Sequence, residues 1–245
     1  MLYSVSSKPL VAELLRSEFK SYVSGPEVYL AKKQVYENSC GAACLLCVAK
    51  ELGVEKIPVF LGSESEKLGS ESLELDSRCE SDLYKITSGS TTQRLQNEIA
   101  GYSMPDGIVT AGRLLGLEMS VEEVPGLFSK ALNWFYPEAK SRLASIGCVI
   151  AHGPQRFEGD QIKIEAMAVV DVALPVGLHW VVKRSDGTYM DPSTGENYHS
   201  FSALNAGAKE IGNPRYYKTG ILIIASKMPL GNLEDSTRKS QWTRF

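Results

Sequence analysis

The sequence predicts an α+β fold, and three observations carry that prediction. From the N-terminus to Ser145, apolar positions recur at helical spacing. After Ser145 the spacing shortens to that of strands, with a hairpin signal at Asp186-Gly187. The chain has no internal repeat, so helices come first and an antiparallel sheet second.

The elements follow in order. Residues 9–23 (PLVAELLRSEFKSYV) read as a helix with Pro9 in its first turn, broken by Gly25-Pro26. An extended stretch from Val28 to Val35 leads into Cys40. The run Cys40 to Leu52 (CGAACLLCVAKEL) reads as a mostly buried helix stopped by Gly53. Residues 62–98 are rich in Ser, Glu and Gly and read as a surface excursion with no core of its own. Pro105 to Leu115 is helical and ends at Gly116. Pro125 to Leu143 holds one or two helices, with Trp134-Phe135-Tyr136 as core or a helix staple rather than a ligand platform. Strands are expected at Gly147–Ala151, Gln161–Ala173, His179–Arg184, Thr188–Met190 and Thr219–Ser226, before a loosely held polar tail from Met228.

At 245 residues the chain can bury a large core, and the reading is one domain, 1–245, with an insertion over about 55–145. A net charge of -3 with no basic block speaks against nucleic acid or an anionic membrane surface as partner. No apolar run reaches the roughly 20 residues of a membrane span. Neither does the N-terminus have a secretory-signal layout. Five cysteines, three of them within eight positions, do not form a disulfide framework. A reducing compartment is expected: a cytoplasm, or a host or target cell reached by secretion without such a signal.

The chemistry lies in three segments. Cys40 starts a predicted helix, where backbone N–H groups point at its sulfur and favour the thiolate. Gly41 leaves the neighbouring amide unshielded for an oxyanion, and Gln34 brings a side-chain amide to the same place. His179 opens one strand and Asp191 ends the next across the Asp186-Gly187 turn, so antiparallel pairing brings imidazole and carboxylate together. Nucleophile, base and orienter thus occur in the order Cys, His, Asp.

These residues carry a family resemblance. Gln-x5-Cys-Gly-Ala-Ala-Cys-Leu-Leu, His-Trp-Val-Val and Asp-Gly-x-Tyr-x-Asp-Pro-Ser-x-Gly together resemble the papain-like cysteine peptidases, closest to the bacteriocin-leader-processing (C39-like) branch. The resemblance covers about 15 residues around Cys40 and about 20 from His179. It implies a papain-like fold in which the Cys40 helix packs on the sheet. It also implies Gln34 in the oxyanion hole, Cys40 attacking, His179 as base and Asp191 holding its ring. Ser39 stands where the family usually carries an acid, and the Cys40-to-His179 separation exceeds that of a minimal leader peptidase. Free-standing relatives with such insertions are often bacterial effectors or toxins.

The expected reaction is cleavage of a peptide bond in a protein or peptide substrate, with no metal or organic cofactor. Two alternatives stand beside it: deamidation or transglutamination of a protein glutamine, and a silent peptide-binding module. Trp180 is the candidate substrate-binding residue, with ordinary strand packing as its other reading. His152, ending the GCVIA strand, is the competing base, and His199 lies in a polar loop. The Cys44-x-x-Cys47 pair lacks the second pair that a zinc site needs. It is read as small apolar packing, with a resolving thiol for an oxidised Cys40 as the alternative.

Overall fold

The computed structural model describes residues 22–23, 28–61, 66–96, 100–124, 131–153, 157, 159–171, 174–212 and 214–228. The helix expected over 9–23 and the tail after Met228 lie outside these, apart from Tyr22–Val23, which is strand. In chain order the elements begin with β1 (Tyr22–Val23), β2 (Val28–Tyr29), α1 (Cys40–Glu51), β3 (Lys56–Leu61) and β4 (Glu66–Ser72). Then come α2 (Ser77–Ser88), α3 (Thr92–Gln96), α4 (Pro105–Leu114), β5 (Leu117–Glu123), α5 (Ala131–Phe135) and α6 (Ala139–Ser145). The last third holds β6 (Ile150–His152), β7 (Ile162–Asp171), β8 (Leu174–Lys183), β9 (Tyr189–Asp191), β10 (Glu196–Tyr198), α7 (Phe201–Glu210) and β11 (Arg215–Lys227).

Seven strands form the main sheet, in the order β10-β9-β8-β7-β11-β5-β6. All neighbours are antiparallel except β5 and β6, which run parallel. The α+β class is observed, but the sheet is mixed and draws β5 from the helical half, so the strict order of helices then sheet is corrected. Leu117, Met119 and Val121 supply the inward alternation that makes β5 a strand.

The helix α1 is apolar all round, and every residue from Cys40 to Ala49 is buried. Such a helix belongs inside. It lies between the sheet on one side and α2 and α4 on the other, sharing one core with Leu83, Tyr84, Ile108, Ile164 and Trp180. On the opposite sheet face α7 covers a smaller core of Met167, Val181, Tyr189 and Tyr216 with Leu204 and Ala208.

The excursion expected over 62–98 is corrected where it is described. Residues 77–88 form α2, which buries Cys79, Glu80, Leu83, Tyr84 and Thr87. Asp76 caps its start by accepting the Cys79 N–H, and Gly89 ends it at φ 61°. Of the aromatic cluster, Tyr136 is buried but Trp134 is 73% exposed, so only part of it packs as core.

One buried fork ties three elements together. Arg184, just beyond β8, donates to both carboxylate oxygens of Glu51 at the end of α1, at 2.6 and 2.9 Å. It also donates to Leu30 O at 2.9 Å and lies over the Tyr29 ring. The helix α1, the strand β8 and the segment leading to Cys40 are thereby fixed to one another.

Candidate active site

Residues 32–39 approach α1 across the turn that follows β9. Gln34 N–H donates to Pro192 O at 2.8 Å. Gly195 sits at φ 75°, and a Cβ there would lie 2.7 Å from Lys33 N, so only glycine permits this close approach. The segment before Cys40 is thus docked on the turn that carries Asp191. Distant parts of the chain converge because of this contact.

Cys40 is the first residue of α1 and is buried. Ser39 occupies the N-cap position but makes no capping bond to the helix. Its hydroxyl turns instead to Glu80 Oε1 at 2.6 Å. Gly41 has a packing reason beyond the one expected: a Cβ there would come within 2.5 Å of Ser103 Cβ and 2.9 Å of Ile108 Cδ1. Glycine lets the tip of α1 sit against the loop before α4.

His179 Nε2 lies 2.7 Å from Asp191 Oδ1 and 3.2 Å from Ser193 Oγ. The Cys40 sulfur is near enough to act on the charge of the ring. Burial of the ring favours its neutral form. The Asp191 charge, the bond to Asp191 and the bond to Cys40 outweigh that, and the imidazole is raised from 6.5 to about 10. Asp191 is fully buried, yet the charged His179 and bonds from His179 and Ser193 hold its carboxyl below the usual range.

Two residues not singled out from the sequence complete this group. Ser193 donates its N–H and its hydroxyl to Asp191 Oδ1, at 2.8 and 2.5 Å. Tyr216 donates its hydroxyl to Asp191 Oδ2 at 3.2 Å and stacks on the His179 ring, centroids 5.3 Å apart. Ser193 had a local signal, since Asp-x-Ser is an Asx-turn pattern. Tyr216 had none, because only the sheet order places β11 beside β7 and beneath the ring.

Other expectations fare differently. Gln34 reaches the site, but its side-chain N–H groups donate to Tyr36 O at 2.9 Å and Glu37 O at 2.7 Å. The amide expected at the oxyanion is engaged by the loop's own carbonyls. Trp180 does not line a groove. Alternation along β8 sends it to the face opposite His179, where it is 1% exposed, donates to Ser103 O at 3.1 Å and stacks on Tyr136. The substrate-binding expectation for Trp180 is therefore corrected to core packing. His152 is exposed on β6, across the sheet from β8, with Glu123 3.7 Å away, and it is no rival base. His199 is exposed ahead of α7.

Cys44 and Cys47 pack as expected. Both are fully buried, Cys44 donates its thiol to Trp180 O, and burial raises both thiols, Cys47 to about 12. Among the described residues no group of three or more His, Cys, Asp or Glu is placed to hold a metal ion. No described helix is long and apolar enough to cross a membrane. Beside His179 opens a cavity of about 360 Å³ walled by Tyr36, Val169, Leu178, Ser193 and Tyr216, with Lys33 and Glu37 also in its lining.

Comparison with known proteins adds two findings. The family described as invasion plasmid antigen J, cysteine protease, matches residues 32–228. A relative from Shigella flexneri, cysteine protease IpaJ, is 49% identical over 207 residues, covering 82% of this chain and 80% of the relative.

Proposed function

We propose that this chain, which belongs to the invasion plasmid antigen J family of cysteine proteases, cleaves a protein substrate with Cys40 as nucleophile, His179 as acid and base, and Asp191 as orienter. The observation that carries the reading is the buried bond between His179 Nε2 and Asp191 Oδ1, with Cys40 at the tip of α1 near enough to act on the charge of the ring. Supporting the finer expectation of a papain-like arrangement is the order Cys, His, Asp, with the nucleophile at a helix start.

The steps follow from the geometry. A protonated His179 stabilises the Cys40 thiolate, which attacks the scissile carbonyl carbon. The oxyanion settles at the first-turn amides of α1, left without a side-chain cap by Ser39. Gln34 joins as a second donor by releasing Glu37 O, the more exposed of its two acceptors. His179 then gives its proton to the leaving amine, so the C–N bond breaks and an acyl-thioester remains on Cys40. Water, deprotonated by His179, attacks that carbonyl and restores the thiol. Asp191, clasped by Ser193 and Tyr216, keeps the ring aligned throughout.

The cavity beside His179 receives the substrate chain next to the reacting bond. The matched family's description as an invasion plasmid antigen supports a host cell as the setting. Cleavage is favoured over glutamine deamidation because the relative is named a protease. The test is mass spectrometry of a cleaved protein with and without Cys40→Ala. Splitting of the substrate that vanishes in the folded variant is expected. An intact substrate gaining about one dalton indicates deamidation instead, and an active Cys40→Ala protein ends the proposal.

A further inference from the structure

Among the buried acids that the mechanism does not use, one reaches the residue just before Cys40. Glu80 of α2 is fully buried, and its carboxylate is the centre around which residues 32–39 are wrapped. Its Oε1 accepts the Val35 N–H at 2.8 Å and the Ser39 hydroxyl at 2.6 Å. Its Oε2 lies 2.6 Å from Lys32 Nζ, and both side chains of that pair are shut off from water. Three residues of the segment just ahead of the nucleophile thus converge on one side chain from another helix.

Burying an ion pair is costly, and an apolar pair of similar size would usually stabilise the fold as well or better. Its position explains it better than stability does. Ser39 is the N-cap residue of α1, and serine there ordinarily accepts an amide hydrogen from the first turn. Glu80 draws that hydroxyl away, and no capping bond forms. From its other side the same segment is held by Pro192 and Gly195, the turn of Asp191. Glu80 and that turn therefore grip residues 32–39 between them, which sets where Cys40 stands relative to His179.

We propose that Glu80 is a positioning residue for the reaction: through Val35 and Ser39 it fixes the Cys40 end of α1 against His179 and keeps the first-turn amides clear for the oxyanion. Lys32 neutralises the carboxylate, so that no unpaired negative charge opposes the thiolate a short way off. This inference rests on the Cys40–His179 pairing proposed above.

The test uses the full chain and iodoacetamide as probe, so no substrate need be known. The alkylation rate at Cys40 is followed by mass spectrometry from pH 5 to 9, alongside thermal unfolding. Three proteins are compared: wild type, Glu80→Ala, and the charge-free pair Lys32→Met with Glu80→Gln. Wild type should alkylate readily at pH 6. Glu80→Ala should lose at least about tenfold there, because a thiol moved away from the imidazolium loses the charge that favours its thiolate. The double variant keeps an acceptor for Val35 and Ser39 and should stay within about threefold of wild type. A folded Glu80→Ala protein with an unchanged pH profile overturns the inference alone. If Glu80→Ala does not fold, the double variant decides: a native profile supports the inference, and a folded protein with the profile lost overturns it. Wild type without enhanced reactivity at pH 6 overturns the pairing itself, and this inference with it.

Discussion

Replacing Asp191 by Asn removes the charge that keeps His179 protonated while leaving the shape of the site nearly intact. Burial alone drives the ring toward its neutral form; Asp191 and the hydrogen bonds to Asp191 and Cys40 carry it instead from 6.5 to about 10. Each tenfold change in a protonation constant is about 1.4 kcal/mol, so the folded protein favours the imidazolium by on the order of 4–5 kcal/mol. The ring is 8% exposed, so solvent screening takes little from this figure. The folded value lies above the unfolded one. This stability is therefore complete below about pH 6.5 and is lost as pH rises through about 10. At pH 7 the Asn variant should unfold on the order of 10 °C lower, and at pH 10.5 the gap should narrow sharply. Proton NMR of the imidazole C–H signals, with three histidines to assign, should show His179 charged through pH 8 in wild type and neutral at pH 7 in the variant. A wild-type His179 titrating near 6.5, or a melting gap equal at both pH values, refutes the reasoning.

Three further outcomes are expected. Arg184→Met strands the Glu51 carboxylate in the core and should cost about 3–5 kcal/mol in urea unfolding, with partial recovery on adding Glu51→Gln. Gly41→Ala forces a methyl group against Ser103 and Ile108. It should cost about 1–3 kcal/mol and slow Cys40 alkylation, since the tip of α1 must move. Gln34→Ala should lower kcat by about 10²–10³ with little change in KM if the amide joins the oxyanion; a drop in unfolding temperature with kcat intact would limit Gln34 to bracing the loop through Tyr36 and Glu37.

What could be read in advance was what is local. The unbroken apolar run after Cys40 could only be an interior helix, and α1 follows it within a residue. The Asp186-Gly187 turn places Asp191 beside His179 without help from the rest of the fold. The strands β7 and β11 were visible as runs of branched and apolar residues. By contrast α2 is hidden because the face it buries includes Glu80 and Thr87, whose partners come from elsewhere in the chain. The strand β5 is masked by Glu122 and Glu123, which read as exposed until Lys163 and Lys140 are placed opposite them. Helix α7 escaped notice because its Ser200 cap opens a short, mixed sequence with few large apolar residues. Trp180 follows His179 within a strand, and strand neighbours point to opposite faces rather than into one groove.

The position of β11 makes the surroundings of His179 depend on a strand far from it in sequence. The last of the described strands lies inside the sheet, flanked by β7 and β5, and its Tyr216 closes over the His179–Asp191 pair. A fragment without residues 215–227 keeps Cys40 and His179 but loses the strand that pairs with both β7 and β5 and brings Tyr216 to the Asp191 carboxylate. The surroundings of the His179–Asp191 pair are therefore completed through pairings distant in sequence and correspondingly slow to form.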